Sequence, residues 1–95
     1  MENFYLNKPV NIEITNELDL HNFNPKEVDE LVNEYIYQCV KQNILEVRII
    51  HGKGKGILKK RVEKILKNNP YVKSFKTASP SSGFWGASIA ELKKE

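Results

Sequence analysis

The chain has 95 residues, enough for one compact domain with a single hydrophobic core. Hydrophobic residues make up 40% of it and charged residues 28%, which is ordinary for a globular protein and excludes a disordered chain. No stretch approaches the roughly 20 apolar residues that span a bilayer, so we expect no membrane association. A single cysteine, Cys39, and the lack of a basic and apolar leader predict a cytoplasmic location.

The net charge is only +3, but it is unevenly distributed along the chain. Residues 1–46 carry nine acidic and three basic side chains, whereas residues 47–95 carry twelve basic and three acidic ones. Such asymmetry creates a local positive field that attracts polyanions, although a basic face that is merely solvated gives the same pattern.

The chain begins with two segments of different character. Residues 1–9 are expected to form a loosely attached arm, and residues 10–95 the single domain. From Val10 to Leu20 apolar residues alternate with polar ones, with an interruption near Thr15. This alternation predicts extended chain or a first strand.

A long amphipathic helix follows. Asn24 is a typical N-cap residue, and Pro25 suits the first helical position. Asn43 is expected to end the helix. The spacing predicts one apolar stripe, in which Cys39 is a core thiol rather than a reactive one. The stripe consists of Val28, Leu31, Val32, Tyr35, Ile36, Cys39 and Val40.

The second half predicts three strands and one helix. Residues 45–50 read as a strand, and a helix should follow the glycines and stop before Pro70. Residues 72–77 and 87–92 read as the last two strands. The order β-α-β-α-β-β predicts an α/β two-layer sandwich, with two helices on a mixed four-stranded sheet whose first three strands are parallel.

The loop after His51 is the strongest local signal for binding. Glycines at alternate positions leave backbone N–H groups uncovered between a strand and a helix N-terminus, where a phosphate is favoured. The second helix also begins with cations that lack local compensation, instead of the acidic residues that its dipole prefers; these are Lys55, Lys59, Lys60 and Arg61. A simple tight turn is the alternative interpretation. The predicted phosphate-binding residues are Gly52, Lys53, Gly54, Lys55, Gly56, Lys59 and Lys60.

Three polar residues near the predicted strand ends are candidates for chemistry. Asp19 and His21 share one face of the first strand, and His51 closes the next. In a parallel sheet these strand ends lie together, which predicts that the three side chains share one cleft. The two imidazoles could then cleave a phosphodiester by acid–base catalysis, with the carboxylate orienting one of them. A metal site and separate structural roles for the histidines are the alternatives.

Trp85 follows Phe84 beyond a serine-rich turn. An aromatic side chain in a loop beside a basic surface can stack on unpaired bases. It can equally close the end of the hydrophobic core.

Taken together, these residues resemble the Smr family, the small MutS-related domain. The order and spacing of three segments agree with the family's motifs LDLHG, HGxGxGxL and GGxGxTxxxL over about residues 10–92. The chain departs from them at Asn22, at Phe84-Trp85 and at Ser88, which stands where the family has threonine. The matching segments are Leu18-Asp19-Leu20-His21, His51-Gly52-Lys53-Gly54 with Gly56 and Leu58, and Gly83 with Gly86-Ala87-Ser88-Ile89 and Leu92.

The resemblance implies a fold similar to the C-terminal domain of bacterial translation initiation factor three. It also implies binding of DNA or RNA and, in several members, endonuclease activity. The family's suspected catalytic positions carry over onto Asp19, His21 and His51. A divalent ion, Mg²⁺ or Mn²⁺, is the cofactor left open. The alternative is a non-catalytic module that docks on nucleic acid, on a ribosome or on a DNA-repair protein.

Overall fold

The computed structural model of the chain describes residues 14–20, 23–52, 56–78 and 86–95. The predicted order of elements and the α/β fold are confirmed, while the expected arm at residues 1–9 lies outside the described residues. In no described range is there a helix of the length and apolar character that crossing a membrane requires. The elements are β1 (Glu17–Asp19), α1 (Pro25–Lys41), β2 (Glu46–Ile50), α2 (Ile57–Asn68), β3 (Val72–Thr77) and β4 (Ala87–Leu92).

The sheet is mixed, with the strand order β1-β2-β4-β3. β1 pairs with β2 in parallel, and β4 is antiparallel to both β2 and β3. The first three strands therefore run in the same direction, as predicted, but β3 is not a neighbour of β2. β4 separates them, and this insertion brings the start of β4 against the end of β2.

Local sequence explains the bounds of α1. The side chain of Asn24 caps the helix by accepting the N–H of Lys26 at 3.0 Å. At the other end Asn43 adopts a positive φ of 61°, and the N–H of Ile44 reaches back to the carbonyl of Cys39 at 2.8 Å. This is the Schellman arrangement, for which asparagine is a suitable residue.

The helices cover one face of the sheet and bury the main core against it. All seven residues of the predicted α1 stripe are buried. From the sheet, Val47 and Ile49 of β2 and Ala90 of β4 join this core, whereas Ile50 and Ala87 form a smaller cluster of their own. Because side chains alternate along a strand, the sheet has a helix-covered face and a helix-free face.

Candidate nucleic-acid site

The loop between β2 and α2 turns sharply at both of its described ends. Gly52 and Gly56 have φ values of 84° and 82°, a left-handed conformation that strains other residues. The N–H groups of His51 and Gly52 both donate to the carbonyl of Gly86, at 2.7 and 2.8 Å. The three residues between, Lys53, Gly54 and Lys55, lie outside the described part of the chain.

The N-terminus of α2 is built unlike that of α1. Its N-cap residue, Gly56, has no side chain with which to cap the helix, and its first turn contains no acidic residue. Lys59 is partly buried there, and Lys60 is exposed. The uncapped N–H groups and the two cations make this end of the helix strongly positive, as an anion-binding site requires.

One cation near this end is already neutralised. The Nε of Arg61 donates to Oδ1 of Asp29 on α1 at 2.7 Å. The sequence pattern placed Arg61 among charges that lack local compensation, and that interpretation was wrong because the packing of α2 beside α1 supplies a carboxylate. The free positive charge of the first two turns is therefore that of the lysines.

His51 is enclosed, with 5% of its surface exposed. Its Nδ1 lies 3.1 Å from the carbonyl oxygen of Gly52, and its Nε2 lies 3.0 Å from Oγ of Ser88 on β4. Because a carbonyl oxygen only accepts, Nδ1 carries the proton and donates to Gly52. The hydroxyl of Ser88, itself completely buried, then donates to Nε2. Both ring nitrogens are thus used within the fold.

The surroundings of His51 favour its neutral form. Burial lowers the pKa of the imidazole, and the positive charge of Lys59 lowers it further. The hydrogen bond to Gly52 and the negative charge of Glu63 oppose this shift without reversing it. His51 is therefore a neutral imidazole at neutral pH, with its Nε2 lone pair directed at Ser88.

Asp19 stands at the neighbouring strand end but on the other face of the sheet. In the register of β1 and β2 it lies opposite Ile50, one residue before His51. Leu18 packs on the main core, and Asp19 is exposed on the opposite side of the strand. His51 contacts Ser88, which lies in register with Ile49 on the helix-covered face. The strand ends are adjacent, but the two side chains do not share a face.

The other predicted contributors cannot be placed in this arrangement, since His21 and Trp85 lie outside the described residues. Their roles remain predictions. Among residues 14–20, 23–52, 56–78 and 86–95, no three His, Cys, Asp or Glu side chains group closely enough to hold a metal ion.

Ser88 is the residue of the site to which sequence reasoning gave no role. Its position in the third motif was recognised, but nothing in the sequence places it beside His51. That contact depends on β4 lying next to β2, in a register that pairs Ser88 with Ile49. A buried hydroxyl among the apolar residues of β4 was the available signal.

Comparison with known proteins places this geometry in a family. The Smr domain matches residues 18–93. The chain is 43% identical over 77 residues to the Endonuclease MutS2 of Staphylococcus carnosus, and 38% identical over 80 residues to that of Acetivibrio thermocellus. These matches cover 81% and 84% of the chain but only 10% of each relative, so the chain spans about a tenth of their length.

Two crystal structures share the fold. The Smr domain of Thermus thermophilus MutS2 has a TM-score of 0.77 and 26% identity, covering 83% of this chain and 99% of that one. YdaL of Escherichia coli, a stand-alone small MutS-related protein, has a TM-score of 0.76 and 29% identity, covering 83% of this chain and 65% of that one. With its sequence match over residues 18–93 and this shared fold, the chain belongs to the Smr domain family.

Proposed function

We propose that this chain binds nucleic acid by its phosphates at the β2–α2 loop and cleaves a phosphodiester bond there. The observation that carries the proposal is the N-terminus of α2, which offers uncapped N–H groups beside Lys59 and Lys60. A phosphate at this position would relieve the conflict between the lysines and the helix dipole. The similarity to the MutS2 endonucleases supports the same function.

In this proposal the glycine–lysine loop clamps the phosphate. Gly52 and Gly56 provide the left-handed turns that the loop needs, and Lys53 and Lys55 add charge within it. Lys60, exposed on the first turn of α2, contacts the same phosphate or the next one. Trp85 would stack on a base that leaves this site.

His51 and His21 act as the acid–base pair, with Asp19 as the group that orients one of them. His51 is neutral, as a general base must be, and the lone pair that can accept a proton is on Nε2, which accepts the hydroxyl of Ser88. In this proposal the nucleophile of the substrate replaces Ser88 as the donor to Nε2, and Nε2 takes up its proton.

A specific observation favours a second candidate, a docking module without catalysis. His51 is buried, and each ring nitrogen has a partner inside the fold. In this candidate His51 serves to join the loop to β4 and takes no part in chemistry. The chain would then bind structured nucleic acid, a ribosome or a DNA-repair protein through the same basic loop.

The two candidates separate in one experiment. Labelled single-stranded RNA, duplex DNA and branched DNA are incubated with the chain in Mg²⁺ or Mn²⁺, and both binding and product length are measured. Endonuclease activity predicts shortened products that are lost in a His21→Ala, His51→Gln double variant which still binds. Cleavage retained in that folded variant would refute the acid–base roles, and binding without products would establish the docking module.

A further inference from the structure

An open groove of about 860 Å³ runs between α1 and α2, apart from the residues around His51. Asn33 and Tyr37 form its α1 wall, Lys60 and Lys64 form its α2 wall, and Ile65 contributes to its floor. We propose that this α1–α2 groove holds a single strand of nucleic acid as it leaves the phosphate site. The inference rests on the proposed function and extends it to the path and the kind of strand.

The groove is continuous with the phosphate site. Three contacts join α1 to α2 and to the turn that follows α2, and the first is the ion pair of Arg61 with Asp29 at 2.7 Å. The second joins Asn69 to Asn33 at 2.8 Å, and the third is the ring pair of Tyr37 and Tyr71, whose centroids are 6.4 Å apart. Ile57 and Lys60 of the first turn line the groove, and its lining continues to Tyr71, so the groove starts at the first turn of α2 and runs along the helix to the turn beyond it.

The α2 wall presents positive charge at regular spacing. Lys60 and Lys64 are both exposed, and four residues of helix place them about 6 Å apart along the axis. Neither forms an ion pair with any residue that the structure describes. Arg61 and Asp29 cancel each other, so the wall has a net positive charge suited to consecutive phosphates.

Apolar and amide groups of the groove suit unpaired bases. Ile57, at the start of the groove, is 64% exposed and is the exposed large hydrophobic residue among those described. The amide side chains of Asn33 and Asn68 have both donors and acceptors, as the edges of bases do. The carboxylates of an acidic peptide only accept hydrogen bonds and would need donors alone. The ion pair of Arg61 with Asp29 joins the two walls, so a strand would lie along the open side of the groove rather than between the helices.

The length of α2 sets the size of the site. Its 12 residues extend about 18 Å, roughly three times the distance of about 6 Å that separates Lys60 from Lys64, so the groove takes roughly three nucleotides beyond those at the loop. A strand of roughly four nucleotides is therefore too short to occupy both the loop and the whole groove, whereas one of roughly twelve reaches across both. The longer strand should respond more strongly to changes in the groove.

The test compares two lysines on α2. Labelled oligothymidylates of roughly four and twelve nucleotides are titrated into the chain, into Lys64→Gln and into Lys67→Gln, and anisotropy gives the affinities. Lys67 is exposed on the same helix but does not line the groove, so it controls for net charge and for folding. We expect Lys64→Gln alone to weaken the long strand about threefold or more and to lower its salt slope by about 0.7.

A second pair of variants predicts a gain of binding. Asp29→Asn removes the partner of Arg61 and frees its charge in the groove, so the long strand should bind about threefold more tightly. Glu30→Gln removes the same charge from the next, exposed position of α1, which is outside the groove, and should have less effect. Neither change touches the core.

The outcomes distinguish this inference from the function on which it rests. Equal effects of Lys64→Gln and Lys67→Gln, or equal affinity for both strand lengths, would overturn the groove while leaving the loop site intact. No binding of either strand at low salt would overturn both. Displacement of the long strand by an oligoglutamate peptide at equal charge concentration would show that the groove takes acidic protein instead.

Discussion

The buried state of His51 has a consequence for stability. The ring is held neutral in the folded chain, whereas in the unfolded chain it titrates near its ordinary pKa of about 6.5. Below that pH the unfolded state binds more protons, so the free energy of unfolding falls as the pH is lowered from about 7 toward 5. Urea unfolding at several pH values measures this slope.

One variant isolates the contribution of His51. His51→Gln should flatten the slope between about pH 5 and 7, because it removes the group that takes up a proton in the unfolded chain but not in the folded one. If unfolding of His51→Gln showed the same pH dependence as the parent chain, the neutral, enclosed imidazole would not be its source.

The hydrogen bond between Ser88 and His51 leads to a second prediction at the scale of one residue. Ser88→Ala removes the hydroxyl that donates to Nε2 of His51 and leaves a buried acceptor unsatisfied, at a cost of about 1–3 kcal/mol. Ser74→Ala is the matched control, since Ser74 is exposed and bonds Glu91 at 3.0 Å. Chemical denaturation should show a change within about 0.5 kcal/mol for the control. Similar values for both would mean that the His51–Ser88 bond has no net effect.

At the scale of elements, the residues at the start of α2 should favour anion binding and lower the stability of the folded state. Lys60→Glu places an acidic side chain on the first turn, where the helix dipole favours it. The new side chain is also four residues before Lys64, a spacing at which opposite charges stabilise a helix. We expect the folded state to gain about 0.3–1 kcal/mol and the affinity for nucleic acid to fall. Thermal melts and anisotropy of the same preparation measure both effects.

Lys67→Glu provides the reverse control, because Lys67 lies in the last turn of the same helix, where a cation is favoured. That variant should lose stability by a similar amount and change binding less. A Lys60→Glu chain that is destabilised, or that binds as tightly as the parent, would contradict the view that the start of α2 is adapted to an anion.

Sequence patterns predicted the helices and strands closely but could not predict how they are arranged. The α1 stripe and its caps depend on residues near one another in the chain, so Asn24 and Asn43 were identified in advance. The position of β4 between β2 and β3 depends on long-range pairing, and so does the contact of Ser88 with His51. For the same reason Arg61 was interpreted as unpaired, since Asp29 is 32 residues away.

At the scale of the whole molecule, the two halves of the sequence contribute charge to different places. The basic half of the sequence supplies α2 and the loop before it, and the acidic half supplies α1. Asp29 of α1 forms an ion pair with one α2 cation, Arg61. The strand ends that were expected to form one cleft are adjacent, but the alternation of side chains puts Asp19 and His51 on different faces of the sheet. The expected likeness to translation initiation factor three remains a prediction.

The most direct test is the salt dependence of nucleic-acid binding by the parent chain and by Lys60→Gln, with the products examined on a denaturing gel. We predict binding that weakens steeply with salt, a slope reduced by about 0.7–0.9 in the variant, and shortened products from the parent chain. Binding that is insensitive to salt, or a slope unchanged in Lys60→Gln, would contradict a phosphate site at the start of α2.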